Sequence, residues 1–396
     1  MVHIGLLETN YHSHILYYIA RVADTPDSSV TLFTVPEIEE KIRDRIEETG
    51  VAVEWVVADP DESERAFLDR IEPICERTLD VLIVNTISGP APELYNYIRF
   101  DPDCPKLLWI YNVRTWLEPK LSVPRNLKSF LDYNSRTICN QLVRRNYDGL
   151  LVQYSPWKTY IERETGYDGP VYAFPRIFYE NDETTAEADV TADPPTTVTV
   201  PGAIIDKRDY DLVLDAVESR FDADDPVELC LLGRPGTARG ETGYGDRILD
   251  RCATLDERGY DVTYYRDWIP QSEFNEWLEA SDVILSPVTI PKERYGYTEL
   301  HGQTTGTGAI FDALGYGKPL ILPDEYVVGD EIEGLSHQYG TADAFGDLLE
   351  RFVTDEEFRL SAKRAAFRNG QRFTLDKQQD RFARILDRFL DGVVDA

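Results

Sequence analysis

Apolar runs of four to seven residues alternate along this chain with longer stretches in which apolar side chains return every three or four positions. HIGLLE (3–8) precedes HSHILYYIARVA, VTLFTV precedes EIEEKIRDRIEET, and VAVEWVV precedes DESERAFLDRIEPICERTL. DVLIVNT (80–86), KLLWIYN (106–112), GLLVQY (149–154) and VYAF (171–174) extend the series. Short runs without polar alternation mark strands covered on both faces. Helical periods between them mark crossovers, so the pattern predicts a parallel, doubly wound α/β sheet.

Residues 180–197, ENDETTAEADVTADPPTT, break this texture and read as an acidic linker or exposed loop. The alternation then restarts with TVTVPG (197–202), the helical DYDLVLDAVESRF, VELCLLG, YDVTYY, the helical QSEFNEWLEA, DVILSPV and PLILP. The chain ends in helical periods. The predicted organisation is α/β: two Rossmann-like, doubly wound domains facing across a cleft, over 1–179 and 198–374, with a C-terminal helix over 375–396.

A length of 396 residues fits two such domains. Charge alters the expected setting: 72 acidic against 41 basic residues give a formal net charge of −31, and the basic side is ten lysines and 31 arginines. The acids are spread over ordinary amphipathic segments. Molar salt shrinks the Debye length to about 3 Å, so this reads as adaptation to a salt-filled cytoplasm, as in extreme halophiles. No basic patch exists to neutralise phosphate backbones, which excludes nucleic acid as a partner class. No apolar run reaches the roughly 18 residues of a membrane span, and MVHIGLLETN opens as a strand rather than a signal peptide. A cytoplasmic protein is expected, with room for peripheral contact at the inner membrane face. The five cysteines (75, 104, 139, 230, 252) are scattered without a C-x-x-C pair and read as free thiols.

The stretch HGQTTGTGAIFDALGYGKPLILP (301–323) carries the most specific chemistry. Helix N-termini present unpaired amides and partial positive charge. Glycine admits close approach, and threonine adds hydroxyl donors. Thr305, Gly306, Thr307 and Gly308 would open the helix as a phosphate cradle, with Asp312 one turn inside; simple capping is the alternative. Gly317 and Pro319 stop the helix before a strand, which puts its start at the carboxyl edge of the sheet.

From Gly202 to about residue 375, the order of elements resembles the donor-binding half of GT-B glycosyltransferases, particularly glycosyltransferase family 4. In that family the first strand ends in a glycine followed six residues later by a basic residue gripping the donor's diphosphate. VPGAIIDKRDYDLVLDAV places Gly202 and Arg208 there, with Lys207 beside it. A second arginine, common just after the glycine, is Ala203 here. LCLLGRPG, with Gly233, resembles the second strand and its turn. WIPQSEFNEWLEASDVILSPV resembles the segment bordering the nucleotide base. Asp312 takes the place of the acid that holds the ribose. Eight residues earlier, where the family has another acid, stands Thr304, and Glu293 in KERYGYTEL is the candidate replacement.

The resemblance implies a hexosyltransferase-type enzyme moving sugar from a nucleotide-diphosphate donor to a glycan, lipid-linked or polysaccharide acceptor. It also implies retention of configuration, no metal and no cofactor. Lys207 and Arg208, flanked by Asp206 and Asp209, could instead be a solvated helix start with local ion pairs. His12 and His14 follow the first strand; two apart, they cannot share a metal on one helix face, and the reading is either one imidazole near the reacting sugar or ordinary packing. Asn112, Arg114 and Trp116 follow another strand, where the resemblance puts the acceptor; a packed tryptophan is the bland alternative. The missing acid and arginine keep two other functions open: a GT-B-shaped scaffold or binding subunit without turnover, and a nucleotide-sugar epimerase.

Overall fold

The computed structural model describes residues 1–120, 127–179, 186–187, 190–236, 243–294 and 296–394; of the predicted linker at 180–197, residues 180–185 and 188–189 lie outside them, and Thr196 and Thr197 already belong to a strand. The chain divides into two compact units. One comprises Met1–Ile177, Glu293–Glu299 and Leu375–Ala396, the other Phe178–Lys292 and Leu300–Thr374.

The first unit runs β1 (Val2–Glu8), α1 (Ser13–Ala23), β2 (Ser28–Thr34), α2 (Pro36–Glu48), β3 (Val53–Val57), α3 (Glu64–Thr78), β4 (Val81–Val84) and α4 (Ala91–Arg99). It continues with β5 (Lys106–Trp109), α5 (Val113–Leu117), α6 (Leu127–Arg144), β6 (Gly149–Val152), α7 (Ser155–Glu164) and β7 (Val171–Ala173). These seven strands form one sheet, ordered β3-β2-β1-β4-β5-β6-β7, with every pair parallel. All residues of β4, β5 and β6 are buried, as central strands covered by helices on both faces require. α1 sends Ile15, Leu16, Ile19, Ala20 and Ala23 inward at helical spacing.

The second unit opens with β8 (Thr196–Pro201), α8 (Tyr210–Arg220), β9 (Val227–Leu232), α9 (Tyr244–Glu257), β10 (Asp261–Tyr264), α10 (Gln271–Ala280) and β11 (Val283–Leu285). The hairpin β12 (Pro291–Arg294)–β13 (Tyr297–Leu300) follows in the chain, but Glu293–Glu299 belong to the first unit; the second unit resumes with α11 (Gly308–Tyr316), β14 (Leu320–Pro323), β15 (Ser336–Tyr339), α12 (Ala342–Thr354) and α13 (Glu356–Gly370). Its sheet is ordered β10-β9-β8-β11-β14-β15 and is also parallel. Val198, Val200, Leu214, Val217, Leu231, Phe345 and Phe352 share its core.

The last helix, α14 (Leu375–Val394), returns to the first unit. Phe382 packs on Phe174 and Phe389 on Tyr172, with centroids 5.3 and 6.3 Å apart. Gln378, fully buried, donates to the carbonyls of Pro175 and Ile177 at 2.7 and 2.6 Å. This fixes the chain around Arg176.

In each sheet the direction of growth reverses once, between β1 and β4 and between β8 and β11. Loops leaving the carboxyl ends of such a strand pair diverge and leave an open edge. The second-unit candidates lie at the β8/β11 edge, and His12 and His14 follow β1 in the first unit. The five cysteines are free, and all but Cys139 are buried.

Candidate functional site

In the second unit, β8 ends at Pro201 and the chain turns through Gly202, whose φ of +99° suits glycine. The following loop crosses to β11: the Asp209 amide donates to the Pro287 carbonyl at 2.7 Å, and the Thr289 amide to the Lys207 carbonyl at 3.1 Å. Arg208 is thereby pinned across the reversal point. Its guanidinium lies against Gly202, where a Cβ would stand 2.7 Å from Nη1 and Nη2, and Nη1 donates to the Pro201 carbonyl. Tyr210, fully buried, braces the turn by donating to the Gly202 carbonyl at 3.0 Å.

Gly233 closes β9 against the same turn. A Cβ there would sit 2.1 Å from the Gly202 carbonyl oxygen, so the two strand ends touch only because this residue has no side chain.

The N-terminus of α11 carries partial positive charge, the same sign as Arg208. Thr307 has the extended conformation of an N-cap but its side chain caps nothing; its hydroxyl accepts instead from Ser286, at the end of β11, at 3.3 Å. The leading amides therefore lack the partner that threonine usually supplies. Gly308 is exposed, and a Cβ on it would meet nothing within 4 Å. Gly317, at φ +59°, ends the helix as the sequence predicts.

Neither Lys207 nor Arg208 forms an ion pair among the described residues, so pairing with Asp206 and Asp209 is not what holds them. Asp209 caps α8 instead, accepting from the Leu212 amide at 3.0 Å. Burial pushes the Asp312 carboxyl up to about 7, and the Arg208 charge pulls it part of the way back. Among the described residues no hydrogen bond reaches that carboxyl.

The sign of this shift gives a test. Between about pH 4 and 7 the folded chain holds the Asp312 proton more tightly than the unfolded chain, so stability drains away as pH rises through that window. Asp312→Asn should be comparable to the parent near pH 4 and more stable at about pH 8, as read by denaturant midpoints in molar salt. An equal difference at both pH values would contradict this.

His301, absent from the sequence-based candidates although it opens the stretch that carries them, belongs to the same edge. It is buried, and its Nδ1 donates to the Thr289 carbonyl at 2.7 Å, which leaves Nε2 as the lone-pair nitrogen. Burial and the charges of Lys292 and Arg208 push its pKa down to about 4, so it is neutral. Thr304, at the position of the expected acid, is fully buried and accepts from the Leu300 amide at 2.8 Å, closing the turn that seats His301. The structure thus gathers Gly202, Lys207, Arg208, Gly233, Thr305–Gly308 and Asp312 within one unit.

In the first unit, Glu8 ends β1 fully buried and Arg176 follows β7, also buried. Asn85, after β4, stands between them: its amide donates to Glu8, and its carbonyl accepts from Arg176 Nη1 and the Tyr111 hydroxyl, both at 2.9 Å. Arg176 also lies over the rings of Tyr111 and Trp109, 4.2 and 4.6 Å from their centroids. His12 stacks on Tyr111 at 4.6 Å, while His14 is exposed on the first turn of α1.

The other first-unit candidates are placed differently. Asn112 precedes α5 as its N-cap residue, and Trp116 is packed at 6% exposure. Arg114 is engaged by Glu118 at 2.9 Å and the Thr298 carbonyl at 2.7 Å. Glu293 is exposed on the hairpin and accepts from Thr298 at 2.5 Å. Its neighbour Glu299, not singled out by the sequence, is fully buried. It accepts from the Thr115 amide and hydroxyl at 2.8 and 2.7 Å and from the Arg114 amide at 3.2 Å, satisfying the start of α5.

Among the described residues no group of three or more His, Cys, Asp or Glu side chains is arranged to hold a metal. No helix there is long and apolar enough to cross a membrane.

No protein-family model and no curated protein matches the chain. Solved structures do. HepE of Anabaena, crystallised with UDP and glucose, is 15% identical with a TM-score of 0.63, covering 98% of this chain and 100% of its own. A glycosyltransferase of Rickettsia africae is 13% identical with a TM-score of 0.62, covering 98% of each chain. Sucrose-phosphate synthase of Thermosynechococcus elongatus is 15% identical with a TM-score of 0.60, covering 99% of this chain and 100% of its own. At these identities the likeness establishes the fold, which is GT-B: two Rossmann-like α/β domains in one chain.

Proposed function

We propose that the protein is a glycosyltransferase that moves a sugar from a nucleotide-diphosphate donor to a hydroxyl acceptor. The observation that carries this is the pairing, at the β8/β11 edge, of an arginine without a carboxylate partner among the described residues and a helix start without a side-chain cap. In a chain of net charge −31, a guanidinium and uncapped amides at one sheet edge suit an anionic ligand.

On this reading Arg208, Lys207 and the amides from Gly308 onward hold the diphosphate and stabilise the charge that grows on it as it leaves. Each well-placed donor is worth about 3 kcal/mol in such a role. Asp312 and the lone pair of His301 accept hydrogen bonds from sugar hydroxyls. Trp268, 76% exposed, carries Arg234 over its ring at 5.6 Å, and its open face suits a nucleobase. Retention of configuration and independence of metal and cofactor follow from the family resemblance. A glycan or lipid-linked acceptor would be held by the first unit.

HepE was crystallised with UDP-glucose as well as UDP, so UDP and UDP-glucose are the first probes. The test is a panel of nucleotide sugars incubated in molar salt with and without sugar and lipid-linked acceptors. Release of nucleoside diphosphate with a glycosylated product supports transfer. The buried Thr304 in place of an acid favours a second reading, a binding subunit. Tight nucleotide binding without product would select it, and interconversion of free sugar nucleotides would select an epimerase.

A further inference from the structure

Arg208 is followed by a tight reversal of the chain. Asp209 has φ −84° and ψ 76°, and the Tyr210 amide donates back to the Arg208 carbonyl at 3.0 Å, which makes residues 208–210 an inverse γ-turn. Such a turn closes on a single hydrogen bond of its own. Here a second element of the same unit joins it. The hydroxyl of Tyr244, the first residue of α9, donates to the Arg208 carbonyl at 2.9 Å and accepts from the Tyr210 amide at 3.2 Å. One phenol oxygen thus bridges both ends of the turn, spending its only hydrogen on one and a lone pair on the other. Burial pushes the Tyr244 hydroxyl up to about 12, so the proton it gives to Arg208 stays in place.

Neighbouring residues fix Tyr244 where it stands. Gly245 lets α9 start hard against the loop: a Cβ there would be 2.7 Å from the Pro235 Cβ and 3.2 Å from the Ile204 carbonyl oxygen. Arg247 lies over the Tyr244 ring, 5.1 Å from its centroid, and grips both carboxylate oxygens of Asp211, in the first turn of α8, at 2.7 Å. Farther along the same two helices, Arg251 reaches Asp211 at 2.8 Å and Asp215 and Glu218 at 2.7 Å each. These ion pairs, with the ring's packing on the core of the unit, dock α9 on α8 without help from the hydroxyl. The hydroxyl's two contacts go instead to the backbone that carries a guanidinium.

We infer that Tyr244 is a positioning residue for the donor site: its hydroxyl sets the Arg208–Tyr210 turn and thereby aims the Arg208 guanidinium, an inference that rests on the transferase reading. Two links carry the effect to that side chain. The carbonyl that Tyr244 holds is Arg208's own, so any rotation of the turn swings the root of the side chain. Tyr210, whose amide Tyr244 also holds, hydrogen-bonds the guanidinium through its own hydroxyl. Tyr244 acts through Arg208 and has no need to touch the diphosphate.

The full-length protein tests this with Tyr244→Phe, Arg208→Ala, the two combined, and Arg251→Ala. UDP affinity is read by calorimetric titration in molar salt, beside a thermal melt of each variant. Tyr244→Phe keeps the ring under Arg247 and leaves the γ-turn its own hydrogen bond. Melting should therefore stay near the parent while UDP binding weakens about 3- to 10-fold, the factor one lost hydrogen bond carries. Added to Arg208→Ala, it should change UDP affinity no further, because its effect passes through that arginine. Arg251→Ala removes carboxylate ties between α8 and α9 and should lower the melting temperature with UDP affinity unchanged.

Parent-like UDP affinity in Tyr244→Phe, an equal loss from it with and without Arg208, or the same loss from Arg251→Ala would overturn the positioning role and leave the transferase standing. A parent protein that binds no nucleotide and transfers no sugar would overturn the transferase reading, and the part of Tyr244 with it.

Discussion

Arg208→Ala is expected to weaken UDP binding by about 10- to 100-fold while leaving thermal stability nearly unchanged. Hydrogen bonds to charged groups contribute about 1.5–3 kcal/mol each, and 1.4 kcal/mol is a factor of ten in affinity. Among the described residues the guanidinium donates to the Pro201 carbonyl, hydrogen-bonds the Tyr210 hydroxyl and forms no ion pair. Removing it costs the fold only hydrogen bonds to neutral partners at a strand end, the Pro201 carbonyl and the Tyr210 hydroxyl, while the diphosphate loses a geometrically matched cation. Molar salt sharpens the test, because screening removes diffuse attraction and leaves direct contacts. Arg208→Lys should recover only part of the loss, since an ammonium keeps the charge but not the planar fork. Calorimetric titration of UDP beside thermal melts measures both sides. Unchanged affinity would remove Arg208 from the donor site.

Gly233→Ala is expected to damage fold and binding together. The added methyl would meet the Gly202 carbonyl oxygen at 2.1 Å and its carbon at 2.5 Å, both backbone atoms that cannot rotate aside. Relief requires moving the Gly202 turn, and Arg208 lies directly against that turn. Overpacking of this kind costs about 1–3 kcal/mol or more, and nucleotide binding should fall with the displaced guanidinium. Gly308→Ala is the matched control. Its methyl enters open space, so melting should be unaffected, yet it stands where an anion would approach the amides of α11 and should weaken UDP several-fold. If both variants bind like the parent, the cradle is not at this edge.

The two predictions use glycines and an arginine that the sequence already marked, and the reason is local. Gly202, Gly308 and the Gly-Lys-Pro stop at 317–319 announce backbone requirements that depend on immediate neighbours. The central strands were equally plain, because VLIV at 81–84 contains nothing a solvated edge would tolerate. What escaped was non-local. β15 is SHQY, polar because it closes the sheet at its rim, and the hairpin β12–β13 alternates charges with residues that face elsewhere. Glu299 reads as a surface glutamate until the start of α5 is seen resting on it. Arg176 reads as one arginine among 31, because Asn85 and Tyr111, which explain its burial, lie 91 and 65 residues away. His301 could have been found: a histidine directly before a threonine- and glycine-rich helix start stands within reach of whatever that start binds.

The reading of Thr304 carries a related lesson. Beside the family pattern it is an absent acid. In the structure it is a fully buried residue whose hydroxyl and backbone close the 300–305 turn. The contact that an acid would make there has no equivalent at that position, and His301, three residues earlier, is the polar group this chain presents at the same edge.

The central claim is that a nucleoside diphosphate binds in the second unit where β8 and β11 part. A crystal structure of the protein grown with UDP in molar salt tests it most directly. The account predicts the distal phosphate within hydrogen-bonding distance of the Arg208 guanidinium and of the amides that open α11, with the ribose toward Asp312. UDP found on another surface, or an edge that stays without nucleotide at saturating UDP, would contradict it.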